Sequence, residues 1–329
     1  MTEGLPGPAA SLHTALCDVL GITYPICQAG MANYTSPELV AAVSNAGGLG
    51  VHGTLGRTPA ELRVLLQATR QLAGEHPFGV NHVIQWLDEA AFAVTLEERV
   101  PVICFSWGDP GDLAAQAHAA GAKVICQVTR PDEVEPVLRA GADVLIAQGN
   151  EAGGHSGLLS LRELLPAVVS AAGAVPVLAA GGIVDGRGLA AAIVLGAAGA
   201  WIGTRFLATP EAPISSAWKK AIVAAGPGDT IQTRAFDVLW RRIWEGARLR
   251  VIRNDFTAAW DGREAILAQQ LPDIQAQVWQ AERADDPRLF ALMAGSGAGD
   301  IREICSAGDL VRSIVAAASE EVGTRDGLR

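Results

Sequence analysis

No two cysteines in this sequence stand close enough to form a metal clip or a redox pair. The five, Cys17, Cys27, Cys104, Cys126 and Cys305, are far apart, and three sit in the apolar runs "YPICQ", "PVICF" and "KVICQV". They read as small buried thiols in a reducing compartment. Positive charge is scarce too: 25 Lys and Arg stand against 35 Asp and Glu, a formal net charge of −10. That argues against a general affinity for nucleic acid phosphates or anionic membrane surfaces. The N-terminus, "MTEGLPGPAASLHTALCDVL", has no basic start and no long apolar run, so it does not read as a signal peptide. Leu164 to Val184 is free of charge and long enough to span a bilayer, but Pro176 and the Gly181-Gly182 pair interrupt it. It reads as a buried helix, a turn and a buried strand, in a soluble cytoplasmic protein. Missing as well are G-x-G-x-x-G, Walker A and the G-x-S-x-G elbow.

What is there is apolar and periodic. Half of the 329 residues are hydrophobic, enough for one large α/β domain or two smaller ones. Eight short apolar runs read as strands, at 24–28, 48–53, 78–83, 101–106, 123–128, 144–149, 175–182 and 200–206. They are continuous rather than alternating, as parallel strands covered on both faces would be. Between them lie Ala/Leu-rich stretches with helix grammar. "SPELVAAVSNAG" offers Ser36 as N-cap, Pro37 in the first turn and Gly47 at the end. "TPAELRVLLQATRQLAG" repeats this with Thr58, Pro59 and Gly74. Eight strand–helix units predict an α/β fold of the (β/α)8, or TIM, barrel type, with a doubly wound open sheet as the alternative.

The period stops near Pro210. Residues 211–289 are richer in charge and carry five of the eight tryptophans, Trp218, Trp240, Trp244, Trp260 and Trp279. We expect a barrel from 1–210 with 290–329, and a helical insert at 211–289 that serves as a substrate lid or as a homodimer surface. The insert also holds "RRIWEGARLRVIR", with Arg241, Arg242, Arg248, Arg250 and Arg253. This is either a solvated helix face or a basic rim for an acidic substrate.

In such a barrel the C-terminal strand ends form the active face. Here they carry Gln28, Gly30, Met31, His52, Asn81, Ser106, Gln127, Gln148, Gly181, Gly182, Gly203 and Thr204. Carboxylate pairs and metal-ligand clusters are missing, so two-carboxylate hydrolysis and zinc chemistry are poor readings and no metal is expected. A ring of carboxamides suits a flat heterocycle with many hydrogen-bonding edges, such as a flavin. The turns at Gly181-Gly182 and Gly203-Thr204 suit a phosphate. In "AQGNEAGGHSG", Gly153 and Gly154 let the backbone pass close to a planar ligand, and His155 follows as a candidate acid/base. His52 and His82 are second-rank candidates; His13, His76 and His118 read as peripheral.

Together "YPICQAGM", "SPELVAAVSNAGGLG", "FGVN", "AQGNEAGGHSG", "AAGGI" and "WIGTRF" resemble the nitronate monooxygenase family over roughly residues 20–210. The resemblance implies non-covalent FMN, with contacts at Gly30, Met31, Asn81, Gln127, Gly153, Gly154, Gly181, Gly182, Gly203 and Thr204; Gln148 joins them as a strand-end amide. It places the family's catalytic histidine on His155. The implied reaction is oxidation of a small nitronate with O2 to a carbonyl compound and nitrite. FMN-dependent enoyl-acyl carrier protein reductases, which use NAD(P)H, carry similar strings and are the alternative. "AGSGAGDI" stands where family members have a glycine-rich flavin loop, with Ser296 in the place of a frequent Gln.

Overall fold

The computed structural model describes residues 12–326. The first eleven residues, which bear on the leader reading, lie outside the described residues. Eleven strands run in chain order: β1 (Ile26–Gln28), β2 (Gly50–Gly53), β3 (Phe78–Val83), β4 (Val102–Ser106), β5 (Lys123–Val128), β6 (Val144–Gln148), β7 (Gly154–Ser156), β8 (Val177–Ala180), β9 (Gly199–Ile202), β10 (Thr230–Thr233) and β11 (Arg248–Ile252). Eight form one parallel sheet in the order β1-β9-β8-β6-β5-β4-β3-β2. The seam is stitched by Leu49 N–H to Ile26 O at 2.9 Å and Gln28 N–H to Leu49 O at 2.8 Å. The protein is a (β/α)8 barrel, and the doubly wound alternative falls because its two outer strands meet.

Why these runs make a barrel follows from side-chain alternation. Cys27, Val51, Val102, Cys104, Ile125, Ile146, Leu178 and Trp201 pack together inside it. Their chain neighbours Ile26, Ile103, Phe105, Val124, Cys126, Leu145, Ala179 and Ala200 pack outward against the helices. Both faces are dry, so the sequence shows no polar alternation. The short helix Ala15–Leu20 adds Leu16, Cys17 and Leu20 to the interior cluster and plugs the barrel floor.

The connecting helices start where polar caps permit. Ser36 Oγ accepts the Leu39 N–H at 3.1 Å, and Thr58 with Glu61 forms a capping box. The uncharged stretch Leu164 to Val184 divides into the end of helix Leu161–Ala172 and strand β8. No helix among the described residues is long and apolar enough to cross a membrane.

Two strand ends differ from expectation. The seventh strand stops at Ala180, because Gly181 and Gly182 turn to positive φ, 121° and 73°. The eighth ends at Ile202, and Thr204–Leu207 already form a helical turn. The segment after Pro210 is mainly helical, with helices Ser216–Ala224, Ala235–Trp240, Asp255–Trp260, Glu264–Gln269 and Leu271–Arg283. It also supplies the antiparallel pair β10–β11, which the helical reading of 211–289 did not include. Strand β11 pairs in turn with β7, Leu249 opposite His155. Its own apolar cluster is organised around Phe236, stacked on Phe256 with centroids 4.3 Å apart.

Candidate functional site

The same alternation that builds the core aims the amides. Asn81, Ser106, Gln127 and Gln148 share the inward parity of Gly79, Cys104, Ile125 and Ile146, one step further toward the C-terminal mouth. There they line a cavity of about 550 Å³ between the barrel mouth and the segment after Pro210. That volume lies within the range of small-molecule and cofactor sites. All twelve candidates line it: Gly30, Met31, Asn81, Gln127, Gln148, Gly153, Gly154, His155, Gly181, Gly182, Gly203 and Thr204. The amides brace one another, Gln127 Nε2 donating to Gln148 Oε1 at 3.2 Å and Asn81 Nδ2 to Ser106 Oγ at 3.2 Å.

The glycines have distinct reasons. A Cβ at Gly30 would lie 2.6 Å from Asn81 Cβ, and one at Gly153 would lie 2.6 Å from the Gly295 nitrogen, so protein packing alone demands both. Gly203 is different. Its φ of −103° suits any residue, and an added Cβ would meet nothing nearer than Met31 Sδ at 3.6 Å. A side chain there would instead occupy the cavity. That is what a cradle for a closely held ligand requires, and the amide-rich donor set suits the edges of a flavin. Thr204 Oγ1 accepts the Gly295 N–H at 2.8 Å, and Ser296 N–H donates to Glu151 O at 2.8 Å. The glycine loop after Met293 is thereby tied beside the turns at Gly181-Gly182 and Gly203-Thr204.

His155 sits in β7 at the edge of this cavity. Its Nε2 lies 2.7 Å from Asp237 Oδ1, and both side chains are nearly buried. The imidazole stacks on Trp244, centroids 4.1 Å apart and planes 17° from parallel. Among the described residues nothing bonds Nδ1. A carboxylate on Nε2 holds the proton on that nitrogen and leaves the Nδ1 lone pair free. Asp237 and Trp244 were not foreseen. The one signal for Asp237 is a carboxylate inside the apolar helix "AFDVLW".

Three strand-end residues do not join the site. Gln28 is fully buried and bonds the Val51 backbone on both sides, at 3.2 Å each. His52 and His82 have outward parity and meet the next helix. His52 Nε2 is 2.8 Å from Thr69 Oγ1, and His82 Nε2 is 3.0 Å from Thr95 Oγ1. Each threonine already donates to a backbone carbonyl, so it accepts from the imidazole. Burial holds His52 well below the usual histidine range and His82 at about 4. Both are neutral core histidines, which removes them as second-rank acid/base candidates. Burial likewise pushes the Cys126 thiol up to about 12.

Fold and cavity together define a (β/α)8 barrel with a deep pocket at the C-terminal mouth of its strands. A family model described as nitronate monooxygenase matches residues 13–93 and 83–317. The chain belongs to the nitronate monooxygenase family, and with it to the flavin oxidoreductases. A probable nitronate monooxygenase of Staphylococcus haemolyticus is 36% identical over 292 residues, 74% of this chain and 79% of that one. The (3aS,4S,5R,7aS)-5-hydroxy-7a-methyl-1-oxo-octahydro-1H-indene-4-carboxyl-CoA dehydrogenase of Rhodococcus jostii is 39% identical over 235 residues, 71% of this chain and 66% of that one. Among solved structures, FabK of Thermotoga maritima superposes with a TM-score of 0.87 at 35% identity, covering 96% of this chain and 99% of its own. A nitroalkane oxidase of Streptomyces ansochromogenes does so with 0.83 at 31%, covering 94% and 99%.

Proposed function

We propose that the chain is an FMN-dependent nitronate monooxygenase that converts alkyl nitronates and O2 to a carbonyl compound and nitrite. The observation that carries this is the His155 imidazole, anchored through Nε2 by Asp237, with Nδ1 free at a cavity of glycines and carboxamides. The family match and the likeness to the nitroalkane oxidase support it.

FMN, when bound, supplies the acceptance of electrons from the substrate. Backbone N–H groups at Gly181, Gly182, Gly203 and Thr204 would hold its phosphate, and Asn81, Gln127 and Gln148 the polar edges of its ring. Gly30, Met31, Gly153 and Gly154 would let the ring lie close to the backbone. His155 Nδ1 takes the α-proton of a neutral nitroalkane, and the Asp237 carboxylate stabilises the imidazolium that results. In that charged form His155 pairs with the anionic nitro group. Trp244 covers one face of the imidazole and restricts water there. A reducing, cytoplasmic setting suits the five free thiols, and a homodimer through the segment after Pro210 completes the proposal.

A second reading is reduction of an enoyl thioester by NAD(P)H, with His155 as proton donor to the α-carbon. The superposition on FabK favours it. Anaerobic titration of the yellow holoprotein separates the two. Bleaching by 2-nitropropane anion, with nitrite formed on admitting O2, is the expected result. Bleaching by NAD(P)H alone would transfer the assignment to the second reading.

A further inference from the structure

Six of the eight tryptophans line the cavity that holds His155: Trp107, Trp201, Trp218, Trp240, Trp244 and Trp279. In a chain with 35 Asp and Glu, no carboxylate among the described residues lines it, and Arg242 is its one permanent charge. Trp201 and Trp218 belong to the core, 7% and 4% exposed, and Trp244 is stacked on His155.

Two of the others do little for the fold. Trp279, on helix Leu271–Arg283, is 48% exposed. So large an apolar ring left open beside a cavity marks a contact surface rather than a core. Trp107 follows β4 with φ at 60°, where a bulky side chain is strained and a glycine is not. Its ring packs edge-on against Trp244, centroids 5.4 Å apart. Stability alone keeps a tryptophan at neither position, and backbone strain of this kind gathers at functional sites.

We propose that these rings form a substrate wall, and that the substrate reacting at His155 carries a flat aromatic body. This rests on the nitronate reading, which supplies the reacting group. The flavin contacts assigned above come from strand ends and glycine turns of the barrel. Trp240, Trp244 and Trp279 come instead from the segment after Pro210, across the same cavity. Indole rings attract a second aromatic ring beyond what buried area supplies. With no carboxylate in the walls, an anion can enter along with it.

The test pairs compounds of similar size on the FMN holoenzyme. The nitronates of 2-phenylnitroethane and 2-cyclohexylnitroethane differ only in the ring. Cyclohexyl is at least as apolar, so a merely apolar cavity gives a phenyl-to-cyclohexyl ratio of kcat/KM of about one or less. The aromatic wall should raise that ratio to about two to ten. Trp279→Leu, and Trp107→Gly, which suits the backbone, should lower it toward one with FMN affinity unchanged. Binding of 3-phenylpropanoate against 3-cyclohexylpropanoate, read in the visible spectrum of bound FMN, is independent of turnover and should show the same preference. A ratio of one or less in both turnover and binding overturns the wall and leaves the nitronate reading intact. A preference that both variants retain, or variants that lose FMN, would assign the rings to the fold or the cofactor and overturn the wall as well. Phenyl preference in carboxylate binding that the variants lose, in a protein that turns over no nitronate, keeps the wall and overturns that reading.

Discussion

Oδ1 of Asp237 lies 2.7 Å from Nε2 of His155, although 82 residues separate them. The carboxylate comes from helix Ala235–Trp240 after the barrel's eighth strand, and the imidazole from β7 inside the barrel sequence. Removing the charge while keeping the shape tests what the contact does. In Asp237→Asn the amide can donate to Nε2, which drives the imidazole proton to Nδ1 and takes away the free lone pair. Turnover of neutral nitroalkane should fall by about 100-fold or more. Turnover of preformed nitronate, which needs no proton removed, should fall less. FMN should remain bound, seen as an unchanged visible spectrum. Equal loss on both substrates would show that Asp237 only holds the fold.

Gly203 gives a prediction that separates ligand binding from folding. Its backbone conformation accepts any residue, and the protein leaves room for a Cβ. Gly203→Ala should therefore melt like the wild type when stripped of FMN. With FMN present, the methyl would crowd the ligand at a cost of about 1–3 kcal/mol. That corresponds to a rise in Kd of roughly fivefold to 150-fold. Unchanged FMN affinity would remove Gly203 from the cofactor cradle.

The contrast between the two residues explains what was legible in the sequence. The barrel could be read because every strand is buried on both faces and leaves a continuous apolar run. The mouth could be read because Asn81, Gln127 and Gln148 end those runs, and because glycine pairs mark the turns that follow. Side-chain parity could not be read from a strand end. Asn81 and His82 are neighbours, yet one faces the cavity and the other faces Thr95 on a helix. Nor could the pairing of β7 with β11 be read, since β7 is three residues long and only its partner makes it a strand. Asp237 and Trp244 reach His155 through that pairing and through the fold of the segment after Pro210. No local spacing encodes either contact.

His82 predicts a pH dependence of stability. Burial lowers it to about 4 in the folded protein, against about 6.5 in an exposed histidine. The unfolded chain thus binds a proton that the folded one refuses between those values. The contribution is fully present above pH 6.5 and is lost as the pH falls toward 4, an effect of about 3 kcal/mol. Urea unfolding of the wild type should show this loss between pH 7 and 4.5. His82→Leu, which cannot titrate, should lose less stability over the same range. Parallel curves for the two proteins would mean that His82 is charged in the core.

Arg242 stands where the cavity opens. Its guanidinium lies 5.6 Å from the centre of the Trp86 ring, and its backbone N–H donates to Asp237 O at 2.9 Å, so the turn that bears it is fixed to the helix Ala235–Trp240. Arg250 in the same basic run is committed elsewhere, donating to Asn150 O at 2.8 Å and to Thr230 Oγ1 at 3.2 Å. Arg242 is thus the member of the run placed to meet an incoming anion, which in a chain of net charge −10 would otherwise be repelled. Arg242→Gln should raise KM for a nitronate that also carries a carboxylate by about two- to fivefold at low salt. The difference should shrink at about 0.5 M salt, where the screening length falls to a few ångströms. For an uncharged alkyl chain the increase should be smaller, because only the nitronate charge is steered. If KM for the doubly charged substrate does not move at either salt concentration, the basic run is a solvated surface and the mouth does not select by charge.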